Sequence, residues 1–305
     1  MDLSVKIKDK ILPNPVGVAS GTFGYGEEYS TLCDLNSIGA IYTKAITLEP
    51  RNGNPPPRIV ETPSGMLNSI GLANVGIDKF VNEKLPWLKQ HFANVVIIPN
   101  VAGTSEEDYC QVVERLEEID NVWGMEINLS CPNVQYGAIH FGTNPYMVEE
   151  ITEKIRMRTK KPLIIKLSPN VSDIYDIASA AQNGGADAVS CINTLIGMVI
   201  DTNKCRPVLA NKTGGLSGPA IRPVGVRAVY QVSRIVKIPV IGMGGITNAD
   251  DAIQYFLAGA KAIQVGTANF VDPQISNTIL TGIVKWMERH NVESVAQIST
   301  LMRDY

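Results

Sequence analysis

A closed parallel (β/α)8 barrel, an α/β TIM barrel with long loops over its active site, is the fold class this sequence predicts. Three observations carry that expectation: eight short runs of β-branched and other apolar residues, amphipathic stretches between them, and no Pro/Gly/Ser linker to divide the chain. The runs fall at 16–19, 40–43, 95–98, 125–127, 163–167, 188–192, 240–242 and 262–265. Being nearly continuous rather than alternating, they suit strands buried on both faces, and eight of them fit a closed barrel better than an open doubly wound sheet. Between the third and fourth runs the cap-like pair Ser105 and Asp108 leads into Val112, Val113 and Leu116 at helical spacing. Before the eighth, Thr247 and Asp250 lead in the same way into Ile253, Phe256 and Leu257. The expectation is therefore one barrel domain over residues 1–305.

Composition narrows the function classes. With 305 residues and 45% hydrophobic content, the chain has ample core for one large domain. A net charge of −3, with charges interspersed, leaves no basic face for nucleic acid or anionic lipid. No apolar run reaches the ~18 residues of a membrane span, and the opening Met1-Asp2-Leu3-Ser4-Val5-Lys6 has no signal-peptide core, so a cytoplasmic protein is expected. Cys33, Cys110, Cys131, Cys191 and Cys205 contain no C-x-x-C pair, so neither a zinc site nor an iron–sulfur cluster is encoded here and no metal is expected. His91, His140 and His290 fall in no metal or triad spacing, which argues against metal-assisted hydrolysis and Ser-His-Asp catalysis.

Barrel enzymes place their chemistry at the C-terminal ends of the strands. Here those ends read Ala19-Ser20-Gly21, Lys44-Ala45, Asn100, Asn128 and Asn193-Thr194, and Lys166 sits in the fifth run. Three connections, 46–75, 129–143 and 195–217, are long and rich in Gly, Pro or Asn, which predicts loops that cover the site. The densest signal is Asn128-Leu129-Ser130-Cys131-Pro132-Asn133, directly after a buried strand. Cys131 there can serve as nucleophile or general base, and the amides of Asn128 and Asn133 can hold a flat heterocycle by its edge. A lone Cys is more often a buried structural thiol; the flanking amides and proline favour chemistry. For Lys44 and Lys166 the competing reading is a solvated surface side chain, which their place in apolar strands disfavours.

Gly242-Met243-Gly244-Gly245-Ile246 and Gly266-Thr267 follow the last two strands, each before a helix-like segment. Glycine turns and helix N-termini bind anions through backbone N–H groups, and the loops after strands seven and eight are the usual phosphate site of such barrels. Gly214-Gly215-Leu216-Ser217-Gly218 can add to the same cradle. A tight strand-to-helix turn explains one such glycine pair; two at these strands favour a phosphorylated cofactor.

Together the 128–133 segment, Gly214-Gly215-Leu216-Ser217-Gly218-Pro219-Ala220-Ile221 and Gly242-Met243-Gly244-Gly245-Ile246 resemble the FMN-dependent dihydroorotate dehydrogenases of class 1. Asn68-Ser69-Ile70-Gly71-Leu72-Ala73-Asn74-Val75-Gly76 is most similar to the catalytic subunit of the NAD-linked type, class 1B. Class 2 enzymes have serine where this chain has Cys131, and a membrane-associating extension. The resemblance covers nearly the whole chain, with small departures at Ala73 and Val75. It implies FMN contacts from Ser20, Lys44, Ala45, Asn100, Asn128, Lys166 and Ile192, with the phosphate near Gly218, Gly244, Gly245, Gly266 and Thr267. For dihydroorotate and orotate it implies Lys44, Asn68, Ser69, Ile70, Gly71, Leu72, Asn128, Asn133, Asn193 and Thr194. Cys131 would take the C5 proton while Lys166 places positive charge by the flavin N1 and O2. A partner subunit carrying FAD and an iron–sulfur cluster would pass electrons to NAD, in a heterotetramer built on a barrel homodimer.

The alternatives have distinct signatures. A Schiff-base isomerase or aldolase using Lys44 or Lys166 would be colourless, and a barrel without chemistry would not need the Cys, Lys and Asn set. Dihydropyrimidine dehydrogenase has a similar Ser-Cys-Pro-Asn loop and would prefer dihydrouracil; a fumarate-linked class 1A enzyme would need no partner.

Overall fold

The eight predicted strands close into one parallel ring, described by a computed structural model over residues 1–129 and 142–303. In chain order they are β1 (Val16–Val18), β2 (Ala40–Tyr42), β3 (Ile97–Ile98 and Asn100–Val101), β4 (Met125–Asn128), β5 (Leu163–Leu167), β6 (Ala188–Cys191), β7 (Val240–Met243) and β8 (Ala262–Val265). Each pairs in parallel with its sequence neighbours, and β8 returns to β1 through Ile263 opposite Val16. The third strand runs past its expected end at 98. Pro99 splits it because proline has no N–H for the ladder, so Ile97–Ile98 pairs with β2 and Asn100–Val101 with β4. The Pro99 carbonyl still accepts from the Glu126 N–H at 2.9 Å.

Strand residues such as Ile127, Ile165 and Val189 are wholly buried, each such side chain stabilising the fold by ~1.5–3 kcal/mol. Helices cover the ring as expected. Glu106–Glu117 begins with the predicted capping box, in which the Ser105 hydroxyl accepts from the Asp108 N–H and the Asp108 carboxylate from the Ser105 N–H. Val112, Val113 and Leu116 form its buried face. The helix Ala249–Leu257 starts one residue later than predicted. Asn248 rather than Thr247 is extended and caps it, while the Thr247 hydroxyl and N–H bind the Asp251 carboxylate at 2.7 and 2.9 Å. At the opposite end of the barrel the hairpin Val5–Ile7 with Lys10–Leu12 closes the floor, Lys10 donating to the Trp123 carbonyl just before β4.

Two of the expected loops are not loops throughout. Segments from 46–75 and 195–217 pair into a four-stranded antiparallel sheet in the order Leu195–Gly197, Gly214–Ser217, Gly65–Asn68, Ile59–Thr62. Asn68 stands opposite both Gly215 and Ile59, which fixes the loops to each other across the top of the ring. Gly218 ends this sheet at φ +98, and a Cβ there would lie 2.6 Å from the Gly65 Cα, so only glycine permits the approach. Most of the third loop, including Cys131 and Asn133, lies outside the described residues.

Candidate functional site

Strand ends and the antiparallel sheet enclose a cavity of about 260 Å³ at the C-terminal face of the barrel. Its place follows from topology, since a parallel barrel brings every strand's C-terminal end to one face. Ser20, Lys44 and Ala45 line it from the loops after β1 and β2, and Asn128, Lys166 and Ile192 from β4, β5 and the end of β6. Asn193 and Thr194 follow, the strand Gly65–Asn68 contributes Asn68, and the loop beyond it Ile70, Gly71 and Leu72. Gly218, Gly244, Gly245, Gly266 and Thr267 line the side formed by the last strands.

Two predicted contacts do not line the cavity. Asn100 is wholly buried one layer deeper and donates its amide to Glu126 at 2.6 Å. Ser69 is also fully buried; its carbonyl accepts from Asn54 at 3.0 Å, and its hydroxyl finds no partner among the described residues.

The substrate-side amides are held firmly. The Asn128 carbonyl accepts from the buried Tyr109 hydroxyl at 2.9 Å, and its side-chain oxygen accepts from Asn193 at 3.3 Å. Asn193 in turn accepts from the Thr194 N–H at 2.8 Å, and Asn170 donates to the Thr194 carbonyl at 2.9 Å. Asn74 braces the 68–76 segment by donating to the Leu72 carbonyl at 2.7 Å and the Thr47 hydroxyl at 2.8 Å. Beside it, burial pushes the Tyr25 hydroxyl up to about 12, so it stays neutral while accepting from the Val75 N–H.

The glycine side has the shape of an anion cradle. Gly245 adopts φ +67, and a Cβ there would come within 2.6 Å of the Gly218 carbonyl oxygen. The Tyr255 hydroxyl, kept neutral by burial, donates to the Gly244 carbonyl at 2.7 Å. Arg222 pairs with Asp251, whose other oxygen holds Thr247, and this ties the loop after β7 to two helix starts. A Cβ on Gly266 would meet only Ala19, at 3.7 Å, so its open side faces the cavity. Glycine turns there, a lysine and amides opposite, and a continuous space between them fit a phosphorylated planar group such as FMN.

Sequence reading missed Gln264, Thr22, Met66, Ile221, Met243 and Phe270, which also line the cavity. Gln264 had a usable signal, being a single polar residue in an apolar strand. The others carry apolar or loop chemistry that sequence does not set apart.

Fold and site define a (β/α)8 barrel with an anion cradle and a set of convergent amides sharing one cavity. A family model described as dihydroorotate dehydrogenase matches residues 2–287. Among similar curated proteins, the "Dihydroorotate dehydrogenase B (NAD(+)), catalytic subunit" of Geotalea daltonii is 54% identical over 297 residues, 97% of each chain. Proteins of the same name from Pelobacter propionicus and Alkaliphilus metalliredigens are 53% identical over 97% and 50% identical over 98% of each chain. This chain belongs to the dihydroorotate dehydrogenase family. The crystal structure of the Eimeria tenella enzyme in complex with ferulenol superimposes with a TM-score of 0.82 at 23% identity, covering 97% of this chain and 87% of that one, and supports the fold.

Proposed function

We propose that this chain is the FMN-containing catalytic subunit of an NAD-linked dihydroorotate dehydrogenase, which oxidises dihydroorotate to orotate in UMP biosynthesis. The observation that carries this reading is the meeting of Lys44, Asn68, Asn128, Lys166, Asn193 and Thr194 with the glycine cradle in one cavity, in a chain about half identical to subunits of that name.

Bound FMN supplies the acceptor for the hydride that leaves C6 of the substrate. Cys131 takes the proton from C5, so both hydrogens are accounted for. Lys44 pairs with the substrate carboxylate, and Asn68, Asn128, Asn133 and Asn193 match its alternating N–H and C=O edge, each amide offering both a donor and an acceptor. Lys166, 6% exposed at the cavity floor, places a fixed positive charge where negative charge develops on reduction. Ser20, Ala45, Ile192 and Asn100 complete the ring environment, Asn100 from the layer below. Gly218, Gly244, Gly245, Gly266 and Thr267 hold the phosphate. One domain, residues 1–305, carries all of these parts.

A separate subunit bearing FAD and an iron–sulfur cluster relays electrons to NAD, since this chain's cysteines include no C-x-x-C pair. The assembly is a cytoplasmic heterotetramer around a barrel homodimer. Among the described residues no helix is long and apolar enough to cross a membrane. The test is an acceptor panel with dihydroorotate. Dye reduction by the barrel alone, with NADH formed only when the partner is added, supports the reading. Rapid NADH formation without a partner contradicts it, and efficient turnover with fumarate places the chain in class 1A.

A further inference from the structure

Directly beneath the cavity lies a polar group that no step above uses. Glu126, in the middle of β4, is wholly buried. One of its carboxylate oxygens accepts from the Ser190 hydroxyl at 2.8 Å and the Gln264 amide at 2.7 Å, and the other from the Asn100 amide at 2.6 Å. Lys166 Nζ lies 3.8 Å from that second oxygen. Four strands, β3, β5, β6 and β8, thus send polar side chains to one carboxylate on β4.

Register explains the placement. Glu126 and Asn128 are two residues apart on one strand, so both face into the barrel, with Glu126 one layer deeper. Lys166 stands level with Asn128 and Ser190, in position to reach both the carboxylate below and the cavity above. Barrel interiors are ordinarily filled with bulky branched apolar side chains, and a buried carboxylate costs several kcal/mol unless paired and hydrogen-bonded. The orientation of the neighbours shows what they answer to. Among the described residues the Asn100 and Gln264 side-chain oxygens find no hydrogen-bond partner, because both amides turn their NH2 groups to Glu126. Each leaves an acceptor unsatisfied to solvate the carboxylate.

We infer that Glu126 is a positioning residue: it is the internal counter-charge that fixes the Lys166 ammonium at the cavity floor and sets how much of that positive charge a flavin above it feels. The inference rests on the FMN reading. At 3.8 Å the pair is an ion contact longer than a good hydrogen bond of about 2.7–3.2 Å, which leaves Lys166 donors to be directed at the cavity. Glu126 does not line the cavity, so it acts through Lys166 and through its field. A negative charge beneath the cavity would disfavour the electron-rich reduced form of a flavin bound there, and its removal would favour that form.

The experiment is an anaerobic spectroelectrochemical titration of the FMN-loaded chain as wild type, Glu126→Gln and Ser190→Ala. Glutamine keeps the shape, and either Asn100 or Gln264 can turn its unpartnered carbonyl to the new NH2. The midpoint potential of Glu126→Gln is expected to rise, by about 30 mV for each tenfold shift in the two-electron equilibrium. Ser190→Ala removes a hydroxyl dipole that neutralises the carboxylate, so its potential is expected to fall by a smaller amount. Shifts of opposite sign distinguish this electrostatic role from general loosening of the core, which would move both the same way. Shifts of the same sign, or an unchanged or lowered potential in Glu126→Gln, overturn the inference. If Glu126→Gln does not fold, Ser190→Ala decides: a fall supports the inference, and no change or a rise overturns it. A wild-type chain that binds no FMN defeats the functional reading itself and the inference with it, whereas flavin bound at an unmoved potential defeats only the inference.

Discussion

Replacing Lys166 with methionine keeps the length of the side chain and removes its charge, which leaves the Glu126 carboxylate buried with hydrogen bonds but no ion partner. The side chains are 6% and 0% exposed and their charged atoms lie 3.8 Å apart. At an effective dielectric of ~20 the lost attraction is about 4 kcal/mol, and removing one partner of a buried pair typically costs about 3–5 kcal/mol. Because Asn100, Ser190 and Gln264 still donate to the carboxylate, the loss should sit near the lower figure, about 3 kcal/mol. Urea unfolding followed by tryptophan fluorescence, at matched flavin occupancy, measures it. The double variant Glu126→Gln/Lys166→Met carries neither charge and should recover at least about 1.5 kcal/mol relative to the sum of the single changes. Single-variant stability within about 0.5 kcal/mol of wild type, together with additive effects, would refute the account of a coupled buried pair.

The glycine cradle gives a second prediction. In Gly245→Ala a non-glycine residue is held at φ +67, costing ~1–2 kcal/mol, and its Cβ presses on the Gly218 carbonyl 2.6 Å away. The cradle must open, so the FMN dissociation constant measured by flavin fluorescence should rise tenfold or more, and an unchanged constant would remove Gly245 from the phosphate site. Cys131→Ala should retain FMN but slow its reduction by dihydroorotate about 10²–10⁴-fold in stopped flow, the usual size of a general-base contribution. Serine should restore part of that rate at high pH, because a thiol of ordinary pKa about 8.5 is the better base near neutrality; a wild-type rate in the alanine variant would make Cys131 a structural thiol.

The barrel was legible in the sequence because strands buried on both faces are apolar throughout and are separated by helix-like periodicity. The exceptions have local causes. Pro99 looks like a strand terminator, yet it only interrupts a ladder that resumes at Asn100. Thr247 and Asn248 are both good caps, and the extended backbone at Asn248 decides between them. The sheet over the site was hidden for a different reason. Its strands are short and Gly-rich, and they pair across great sequence distance, Asn68 with Gly215, so no local pattern announces them. Within the site, Lys44, Lys166, Asn128, Asn193 and the glycines after the last two strands fall where topology puts the strand ends, whereas Asn100, read the same way, lies one layer deeper. Glu126, Ser190 and Gln264 could not, because a single polar residue in an apolar run reveals its partners only once neighbouring strands are set in register.

Anaerobic mixing of the purified, FMN-loaded chain with dihydroorotate tests the central claim most directly. Loss of the oxidised-flavin absorbance near-stoichiometric with orotate formed, and no comparable change with dihydrouracil, is the predicted result. A chain that remains oxidised with dihydroorotate, or that dihydrouracil bleaches faster, would contradict it.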